Sequence, residues 1–317
     1  MAKLEIIENP SELGAGTRGA SLGIGALKVA AFNAKSDFFK KYASTKITDY
    51  NYILHSDIKT PKAKRIDGIV KVYNEVAEAV SKSIQHNKFP LVLAGDHSSA
   101  GGTITGVKLS NPDARVGVVW IDAHADLHTP YTTPSGNIHG MPLATALGID
   151  NKENKQNQPT EEGIKFWKKL KTVGKITPKI QPKDLVYVAL RDFESPEENF
   201  IRENKITVHS VRDVRKLGAE EIAKKIQKQL TKCDVIYISF DVDSLDCDLV
   251  SYGTGTPAED GLTEQEASQL INLLLLDKKV CCLEVVEINP CLDNKQNRMA
   301  ETAFRIIEKA AAIITKR

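Results

Sequence analysis

The chain has 317 residues, of which 41% are hydrophobic and 26% are charged, and its 43 basic and 41 acidic side chains leave a formal net charge of +2. This composition is typical of a globular protein and excludes a largely disordered one, while the balanced charge argues against nucleic acid or an anionic membrane as the main partner. No stretch reaches the roughly 18–20 apolar residues that span a bilayer, and the opening MAKLEIIENPSELGAG lacks the pattern of a secretory signal.

Short apolar runs alternate with longer stretches that have helical periodicity. Strands are predicted at 90–94, Val116–Ile121, 185–190, 235–240 and 280–288, and helices at 61–87, 217–231, 263–278 and 297–317. Thr263 and Glu266 have the spacing of a capping box. The polar stretch 148–159 is expected to be a mobile loop, and the final helix is expected to pack on the body of the protein or on another subunit.

This alternation predicts an α/β protein with a three-layer α/β/α arrangement and a mostly parallel, doubly wound sheet. No linker or repeat divides the chain, so we expect a single catalytic domain over residues 1–317. Its five cysteines are odd in number and lack CxxC spacing, which favours a reducing, cytoplasmic location.

Three of the predicted strands run directly into acidic and histidine residues. The first is followed by Asp96 and His97, the second by Asp122, His124, Asp126 and His128, and the third by Asp241 and Asp243. In an open α/β sheet, ligands bind beyond the carboxyl ends of the strands. If these strands are parallel neighbours, their polar ends meet in one place.

So many buried like charges are costly unless a cation neutralises them. A set of carboxylates and imidazoles without thiolates suits manganese, iron, nickel or zinc better than calcium. Six potential ligands exceed the needs of one tetrahedral ion and suit two ions that share carboxylates. A single Asp or His at a strand end is more often a cap or a solvated group, and His55, His86 and His209, which have no such neighbours, are expected to be structural or surface residues.

The sequence resembles the arginase, or ureohydrolase, family. The resemblance rests on six motifs in order, which cover about two-thirds of the chain: GDHSSAGGT (95–103), DAHADLHTP (122–130), SGNIHG (135–140), SFDVDSLD (239–246), GTGTP (253–257) and EVVEINP (284–290). Within the family, the stretches TPYTTPSGNIHG and LRDFESPEE resemble the loops with which arginine-cleaving members hold their substrate.

The resemblance implies two Mn²⁺ ions per subunit. The first would be held by His97, Asp122, Asp126 and Asp241, and the second by Asp122, His124, Asp241 and Asp243, so that Asp122 and Asp241 bridge. It also implies that a hydroxide bridging the two ions attacks the guanidinium carbon of L-arginine to give L-ornithine and urea. Glu287 would hold the guanidinium group, and His139 would transfer the proton that the leaving amine needs.

The resemblance further implies an outer pocket for the amino-acid end of the substrate. Thr133, Ser135 and Asn137 would hold the α-carboxylate, and Glu194 and Glu197 the α-amino group. Four of these residues also have a structural interpretation. Ser135 and Asn137 flank Gly136 and favour a polar turn, and Glu194 and Glu197 favour the first turn of a helix.

Two substrate-pocket positions depart from the family pattern. His128 stands where well-known members have an asparagine that faces the substrate carboxylate, and Glu194 stands where they usually have aspartate. The segment DCDLVSYGTGTP is about one residue longer than usual, so no contact is assigned within it. These departures leave the metal chemistry unchanged and alter the shape of the outer pocket.

Alternative functions would require different subsets of these residues. The same chemistry on agmatine, guanidinobutyrate or formiminoglutamate would differ only in the outer pocket. A deacetylase-like hydrolase with one zinc would not need His97 and Asp126, and a non-catalytic homologue would be expected to lack some ligands. The resemblance also implies a homo-oligomer, a trimer or a hexamer, that acts on a small guanidino substrate.

Overall fold

The computed structural model describes residues 3–317, and its strands form one sheet. In chain order they are β1 (Lys3–Asn9), β2 (Ala43–Lys46), β3 (Lys88–Ala94), β4 (Val116–Ile121), β5 (Leu185–Val188), β6 (Thr207–His209), β7 (Val235–Asp241) and β8 (Val280–Val286). The order across the sheet is β2-β1-β3-β8-β7-β4-β5-β6. Every neighbouring pair of strands is parallel.

Helices cover both faces of this sheet. In chain order they are α1 (Gly23–Asn33), α2 (Phe38–Lys41), α3 (Ile66–Gln85), α4 (Ala100–Ser110), α5 (Pro142–Leu147), α6 (Glu161–Lys171), α7 (Ser195–Glu203), α8 (Val211–Leu217), α9 (Ala219–Gln229), α10 (Glu264–Leu274) and α11 (Arg298–Ile314). One apolar core lies between the sheet and α1, α9, α10 and α11, and a second lies between the sheet and α3, α4, α5 and α6. The predicted three-layer parallel α/β fold is therefore confirmed.

All five predicted strands are present, with ends that differ by up to two residues from the prediction. The strands β1, β2 and β6 were not predicted from the sequence. The edge strands β2 and β6 are short, with four and three residues, and neither is fully buried, so neither carries the apolar run that marks a central strand.

The four predicted helices correspond to α3, α9, α10 and α11, each somewhat shorter than the sequence pattern suggested. Thr263 and Glu266 form the expected capping box at the start of α10. The last helix packs on the body of the protein, against α1 and α10. Within residues 3–317, no helix combines the length and the apolar character that crossing a membrane requires.

The predicted loop 148–159 contains one short 3₁₀ turn at Lys152–Asn154. It is fastened to the body of the protein, because the backbone N–H groups of Gln156 and Asn157 both donate to the carbonyl of Tyr131 at 2.8 Å. Asn151, in the same stretch, is buried and donates to the carbonyl of Pro196 at 3.0 Å. This loop therefore braces the chain segment that follows the DAHADLHTP motif.

The strand order explains why distant motifs converge. The strands β3, β8, β7 and β4 are consecutive in the sheet, and their carboxyl ends lie on the same edge because all four are parallel. The three polar motifs predicted to meet follow β3, β4 and β7, and β8 lies between β3 and β7 with Glu287 directly after its last residue. This edge is where an open α/β sheet binds ligands.

Candidate active site

A cavity of about 240 Å³ opens at this edge of the sheet. Its floor is formed by residues that follow β3, β4 and β7, and its wall by the segments 133–140 and 192–197. Of the fourteen residues that the sequence analysis proposed for the site, twelve line this cavity: His97, His124, Asp126, His128, Thr133, Ser135, Asn137, His139, Glu194, Glu197, Asp241 and Asp243. The other two, Asp122 and Glu287, lie just behind the lining.

One cluster of the floor is centred on His97. Its Nδ1 atom lies 3.0 Å from a carboxylate oxygen of each of Asp122, Asp126 and Asp241. Despite these short distances, Nδ1 makes no hydrogen bond with acceptable geometry, and neither does Oδ2 of Asp122, although both atoms are buried. Three carboxylate oxygens therefore lie within hydrogen-bonding distance of His97 Nδ1 without forming a hydrogen bond with it.

The other side of the His97 ring explains this arrangement. Nε2 lies 2.7 Å from Ser239 Oγ, and the ring stacks on Trp120 with the ring centres 4.1 Å apart. With Nε2–H donating to Ser239, Nδ1 carries the lone pair that a metal ligand needs. Two ligand atoms about 2.1 Å from one ion and at right angles to each other are about 3.0 Å apart. The orphaned atoms around His97 thus fit a divalent cation.

A second cluster adjoins the first. His124 Nδ1 lies 2.9 Å from Asp243 Oδ2 and 3.6 Å from Asp122 Oδ1. Asp122 therefore directs one carboxylate oxygen to each cluster, with Oδ2 facing His97 and Oδ1 facing His124. Asp241 faces His97 with Oδ2, while its Oδ1 accepts a hydrogen bond from the backbone N–H of Asp243 at 2.9 Å.

The charges of two floor carboxylates, Asp126 and Asp241, are poorly compensated by the protein itself, whereas the imidazoles of His124 and His97 outweigh burial and lower the pKa of Asp122. Burial, followed by the charge of Asp122, raises the pKa of Asp126 to about 6. Burial, followed by the charges of Asp243 and Asp122, raises the pKa of Asp241 well above its ordinary value. Both shifts mean that the carboxylates are held in a site that disfavours their ionised form, and a bound cation reverses this preference.

Glu287 and His139 lie beside the floor. Glu287 Oε1 accepts a hydrogen bond from the backbone N–H of His97 at 2.8 Å and lies 3.1 Å from His139 Nδ1. The second oxygen, Oε2, is buried and has no partner in residues 3–317. Burial favours neutral imidazole, but the hydrogen bond and charge of Glu287 outweigh it and raise the pKa of His139 to about 9. The pair therefore offers one free carboxylate oxygen and one protonated imidazole.

The backbone is strained at two of these residues. Asp126 and Glu287 have φ angles of +51° and +67°, which lie in the left-handed region. Such conformations cost about 1–3 kcal/mol in a residue other than glycine and concentrate at functional sites. Each carboxylate follows a strand end, and the turn directs it into the site.

The outer wall contains a second set of charges. His128 Nε2 lies 2.5 Å from Glu194 Oε2 and 3.3 Å from Glu197 Oε2. Burial lowers the pKa of His128, but its hydrogen bond to Glu194 and the charge of Glu197 raise it overall. Burial raises the pKa of Glu197 to about 7. Glu194, which is more exposed, has its pKa lowered by the hydrogen bond with His128.

Glu197 also has a structural role. It accepts hydrogen bonds from the backbone N–H of Leu127 at 2.9 Å and from that of Glu194, just before α7, at 3.1 Å. The two interpretations of RDFESPEE, a helix start and a pocket wall, are therefore compatible, because one carboxylate faces both.

The segment 133–137 forms a turn on the opposite side of the cavity. Thr133 Oγ1 accepts from the backbone N–H of Gly136 at 2.9 Å, and Ser135 Oγ accepts from that of Asn137 at 3.2 Å. The structural interpretation of these residues is thus correct, and both hydroxyl groups keep a proton to donate. Their side chains and the amide of Asn137 face the cavity.

Three further residues, to which no role was assigned from the sequence, belong to the site. Asp192 and Thr256 line the cavity; Asp192 Oδ2 lies 3.6 Å from His124 Nε2, and Thr256 Oγ1 donates to Asp243 Oδ2 at 3.1 Å. Asp96 accepts from the backbone N–H of Gly14 at 2.8 Å, which joins the N-terminal segment to the site. Asp192 stands two residues before Glu194 in the motif RDFESPEE, and Asp96 was noted at a strand end but given no role, so their position in these motifs was the available signal.

Comparison with known proteins agrees with this geometry. The model of the Arginase family matches residues 2–312. The chain is 31% identical over 306 residues to the arginase of Bacillus subtilis, with 96% of each chain covered. The crystal structure of Entamoeba histolytica arginase in complex with L-ornithine superposes with a TM-score of 0.81 at 28% identity, covering 98% of this chain and 99% of that one.

A more distant structure has the same fold. The agmatine ureohydrolase of Thermoplasma volcanium gives a TM-score of 0.70 at 18% identity and covers 99% of this chain and 90% of its own. At that identity the likeness is one of fold alone. The family model and the arginase relatives, which extend over nearly the whole chain, carry the assignment: the protein belongs to the arginase family and is a metal-dependent amidinohydrolase.

Proposed function

We propose that this protein hydrolyses L-arginine to L-ornithine and urea with two Mn²⁺ ions. The observation that carries the proposal is the position of Asp122, whose two oxygens face two separate imidazole clusters, as a carboxylate shared by two ions requires. His97, Asp122, Asp126 and Asp241 would hold one ion.

The second ion would be held by His124, Asp243 and the shared carboxylates of Asp122 and Asp241. When bound, the two ions supply Lewis acidity that lowers the pKa of water and makes it nucleophilic near neutral pH. Manganese is proposed because the resemblance to the arginase family implies it, and the set of imidazole and carboxylate donors accepts this ion as it accepts iron, nickel or zinc.

The protein's own groups position the substrate and move the proton. Glu287 Oε2, which is buried without a partner, accepts hydrogen bonds from the guanidinium group and places its carbon above the floor. The imidazolium of His139, with its pKa raised to about 9, is a proton donor at neutral pH. When the C–N bond breaks, His139 gives this proton to the leaving amine of ornithine.

The outer wall would hold the amino-acid end of arginine. Glu194 and Glu197 bind the α-ammonium group, and the hydroxyl groups of Thr133 and Ser135 and the amide of Asn137 bind the α-carboxylate. His128 lies 2.5 Å from Glu194 and 3.3 Å from Glu197, so the α-ammonium group must displace its imidazole from these carboxylates. A zwitterionic end group therefore meets complementary partners on both sides of the cavity.

The runner-up is the same reaction on agmatine, guanidinobutyrate or formiminoglutamate, and direct assay separates these substrates. The protein is purified metal-free, loaded with Mn²⁺, and assayed for urea release from L-arginine, agmatine and 4-guanidinobutyrate, and for formamide release from formiminoglutamate. Manganese-dependent activity on arginine at least tenfold above the others supports the proposal. Activity on another substrate alone would overturn the arginine assignment and keep the metal chemistry, and no turnover with Mn²⁺, Ni²⁺, Co²⁺ or Zn²⁺ would overturn both.

We also propose that residues 1–317 act as one catalytic domain and assemble into a trimer or hexamer in the cytoplasm. The single sheet that contributes all the floor residues supports one domain, and five free cysteines suit a reducing compartment. Light scattering coupled to size-exclusion chromatography tests the assembly, and a monomer at micromolar concentration would contradict it.

A further inference from the structure

A lysine lies directly behind the carboxylate-facing side of the cavity. Lys64 Nζ donates to Oδ1 of Asn137 at 3.0 Å, and the backbone N–H of Lys64 donates to the carbonyl of Gly136 at 2.9 Å. Gly136 has a φ of +78°, and a Cβ atom there would lie 1.9 Å from the carbonyl oxygen of Pro61. The segment that carries Lys64 is thus packed tightly against the turn that carries Asn137.

This contact determines which way the Asn137 amide faces. An ammonium group can only donate, so the atom that it contacts must be the amide oxygen. The NH₂ group is consequently turned away from Lys64, and Nδ2 has no protein acceptor within the described part of the chain. Asn137 lines the cavity, and with its oxygen already occupied it presents N–H donors, which suit an anionic substrate group and offer nothing to a cationic one.

The charge on Lys64 is not neutralised by any carboxylate in the described part of the chain. Within residues 3–317 no carboxylate forms an ion pair with it, and burial together with the neighbouring cations Arg65, Lys62 and Arg18 lowers its pKa. The opposite wall carries Asp192, Glu194 and Glu197. The cavity therefore has carboxylates in one part of its lining and a cation behind Asn137 in another, an arrangement that matches the two charges of an amino-acid end group.

We infer that Lys64 is a positioning residue that makes this site select guanidino substrates that bear a carboxylate, acting through the amide of Asn137. The inference rests on the proposed function, because it concerns how that same site distinguishes arginine from agmatine. Agmatine keeps the amine and the guanidinium group of arginine and lacks only the carboxylate, so the two substrates isolate the interaction.

The test compares three variants of the manganese-loaded enzyme. Lys64→Gln removes the charge behind Asn137, Lys64→Arg keeps it, and Lys62→Gln is the matched control. Lys62 belongs to the same segment but donates to a backbone carbonyl, that of Pro134, at 3.2 Å. Kinetic constants for L-arginine and agmatine are measured for each, and calorimetry measures binding of L-ornithine and 1,4-diaminobutane, which differ by the same carboxylate.

We expect Lys64→Gln to raise KM for arginine about tenfold with kcat nearly unchanged, as the loss of a binding contact does. KM for agmatine should change by less than about twofold, and ornithine binding should weaken about tenfold while diaminobutane binding stays the same. Lys64→Arg should restore most of the arginine affinity, and Lys62→Gln should resemble the wild type.

Equal losses for arginine and agmatine, equal effects of Lys64→Gln and Lys62→Gln, or unchanged selectivity would each overturn the inference. Failure of the proposed function has a different signature. A wild-type enzyme that cleaves no guanidine disproves that function, whereas the comparison of ornithine with diaminobutane still decides the role of Lys64. Wild-type protein that binds both compounds equally would overturn that role.

Discussion

The floor and the outer wall of the cavity contain similar residues but differ in how far the protein itself satisfies their polar groups. On the floor, one carboxylate oxygen of each of Asp122, Asp126 and Asp241 lies 3.0 Å from His97 Nδ1, which forms no hydrogen bond within the described chain. On the acidic side of the wall, His128 already pairs with Glu194 and Glu197, at 2.5 and 3.3 Å. The floor is therefore incomplete without a cation, whereas on this side of the wall a substrate must exchange existing protein contacts for its own.

This difference indicates that the floor carries the chemistry and the outer wall the substrate selectivity. A site that needs an ion to satisfy its buried charges tolerates no change in its ligands, because each lost ligand exposes the remaining charges to one another. A wall of mutually paired groups can be altered with small effects, because each group can fall back on another partner. The following four changes test this contrast.

The largest effect is expected from the floor. Asp241→Ala removes a buried carboxylate at the end of β7, and kcat for arginine should fall by at least about 10³-fold as metal is lost. Metal content measured by mass spectrometry should fall in parallel. The control is Asp113→Ala, which removes an exposed carboxylate far from the site and should leave both quantities unchanged. Full metal content with normal kcat in Asp241→Ala would contradict the ligand assignment.

A smaller loss is expected at His139, whose ring hydrogen-bonds to Glu287 and to no predicted metal ligand within residues 3–317. His139→Asn removes the proton donor, and kcat should fall by about 10²–10³-fold while metal content stays at the wild-type level. Loss of metal in this variant would instead assign His139 to the floor. A change in kcat of less than tenfold would exclude it as the proton donor.

The floor should also make stability depend on pH when the metal is absent. The folded pKa of Asp126, about 6, lies above its ordinary value of 3.8, so the folded chain binds this proton more tightly than the unfolded chain. The stability that the proton contributes is present below about pH 4 and is lost as the pH rises through 6, an effect on the order of 2–3 kcal/mol.

A bound cation replaces that proton, so the gain in Tm on adding Mn²⁺ should be larger at pH 8 than at pH 5. Thermal unfolding of metal-free and manganese-loaded protein across this range measures it. A gain that is constant or larger at pH 5 would show that the floor carboxylates are not the groups that bind the metal.

The smallest effect is expected on the wall. His128→Asn removes the imidazole that competes with the substrate for Glu194 and Glu197, so KM for arginine should fall about threefold with kcat unchanged. The substrate 4-guanidinobutyrate has no α-amine and serves as the control, with KM expected to stay the same. A tenfold rise in KM for arginine would instead make His128 a direct substrate ligand.

The sequence predicted the floor better than the wall for a physical reason. Each floor residue follows a buried apolar strand, and parallel strands bring their ends to one edge, so pattern alone placed His97, Asp122 and Asp241 together. Nothing local marked Lys64 as part of the site, because its contact with Asn137 joins residues 73 positions apart in the chain. The left-handed turn at Glu287 was equally invisible, since its glutamate side chain gives no local signal for a positive φ.

The edges of the fold escaped prediction for a related reason. The strands β2 and β6 are stabilised by pairing with β1 and β5 and not by a fully buried apolar surface of their own. Their place in the sheet is decided by neighbours that lie far away in sequence. Central strands, by contrast, can be recognised from their own continuous apolar runs, such as VGVVWI in β4.

The double attachment of Glu197 has an evolutionary consequence. Its carboxylate joins the loop after β4 to the start of α7 as well as facing the cavity, so any replacement that altered the pocket would also unfasten a helix. Adaptation to a new substrate is therefore expected first at His128, which lies outside every helix and strand, and less readily at Glu194, which is the N-cap residue of α7. Both are positions at which we expect a departure from the family pattern, and exchanging them tests whether they set the substrate preference.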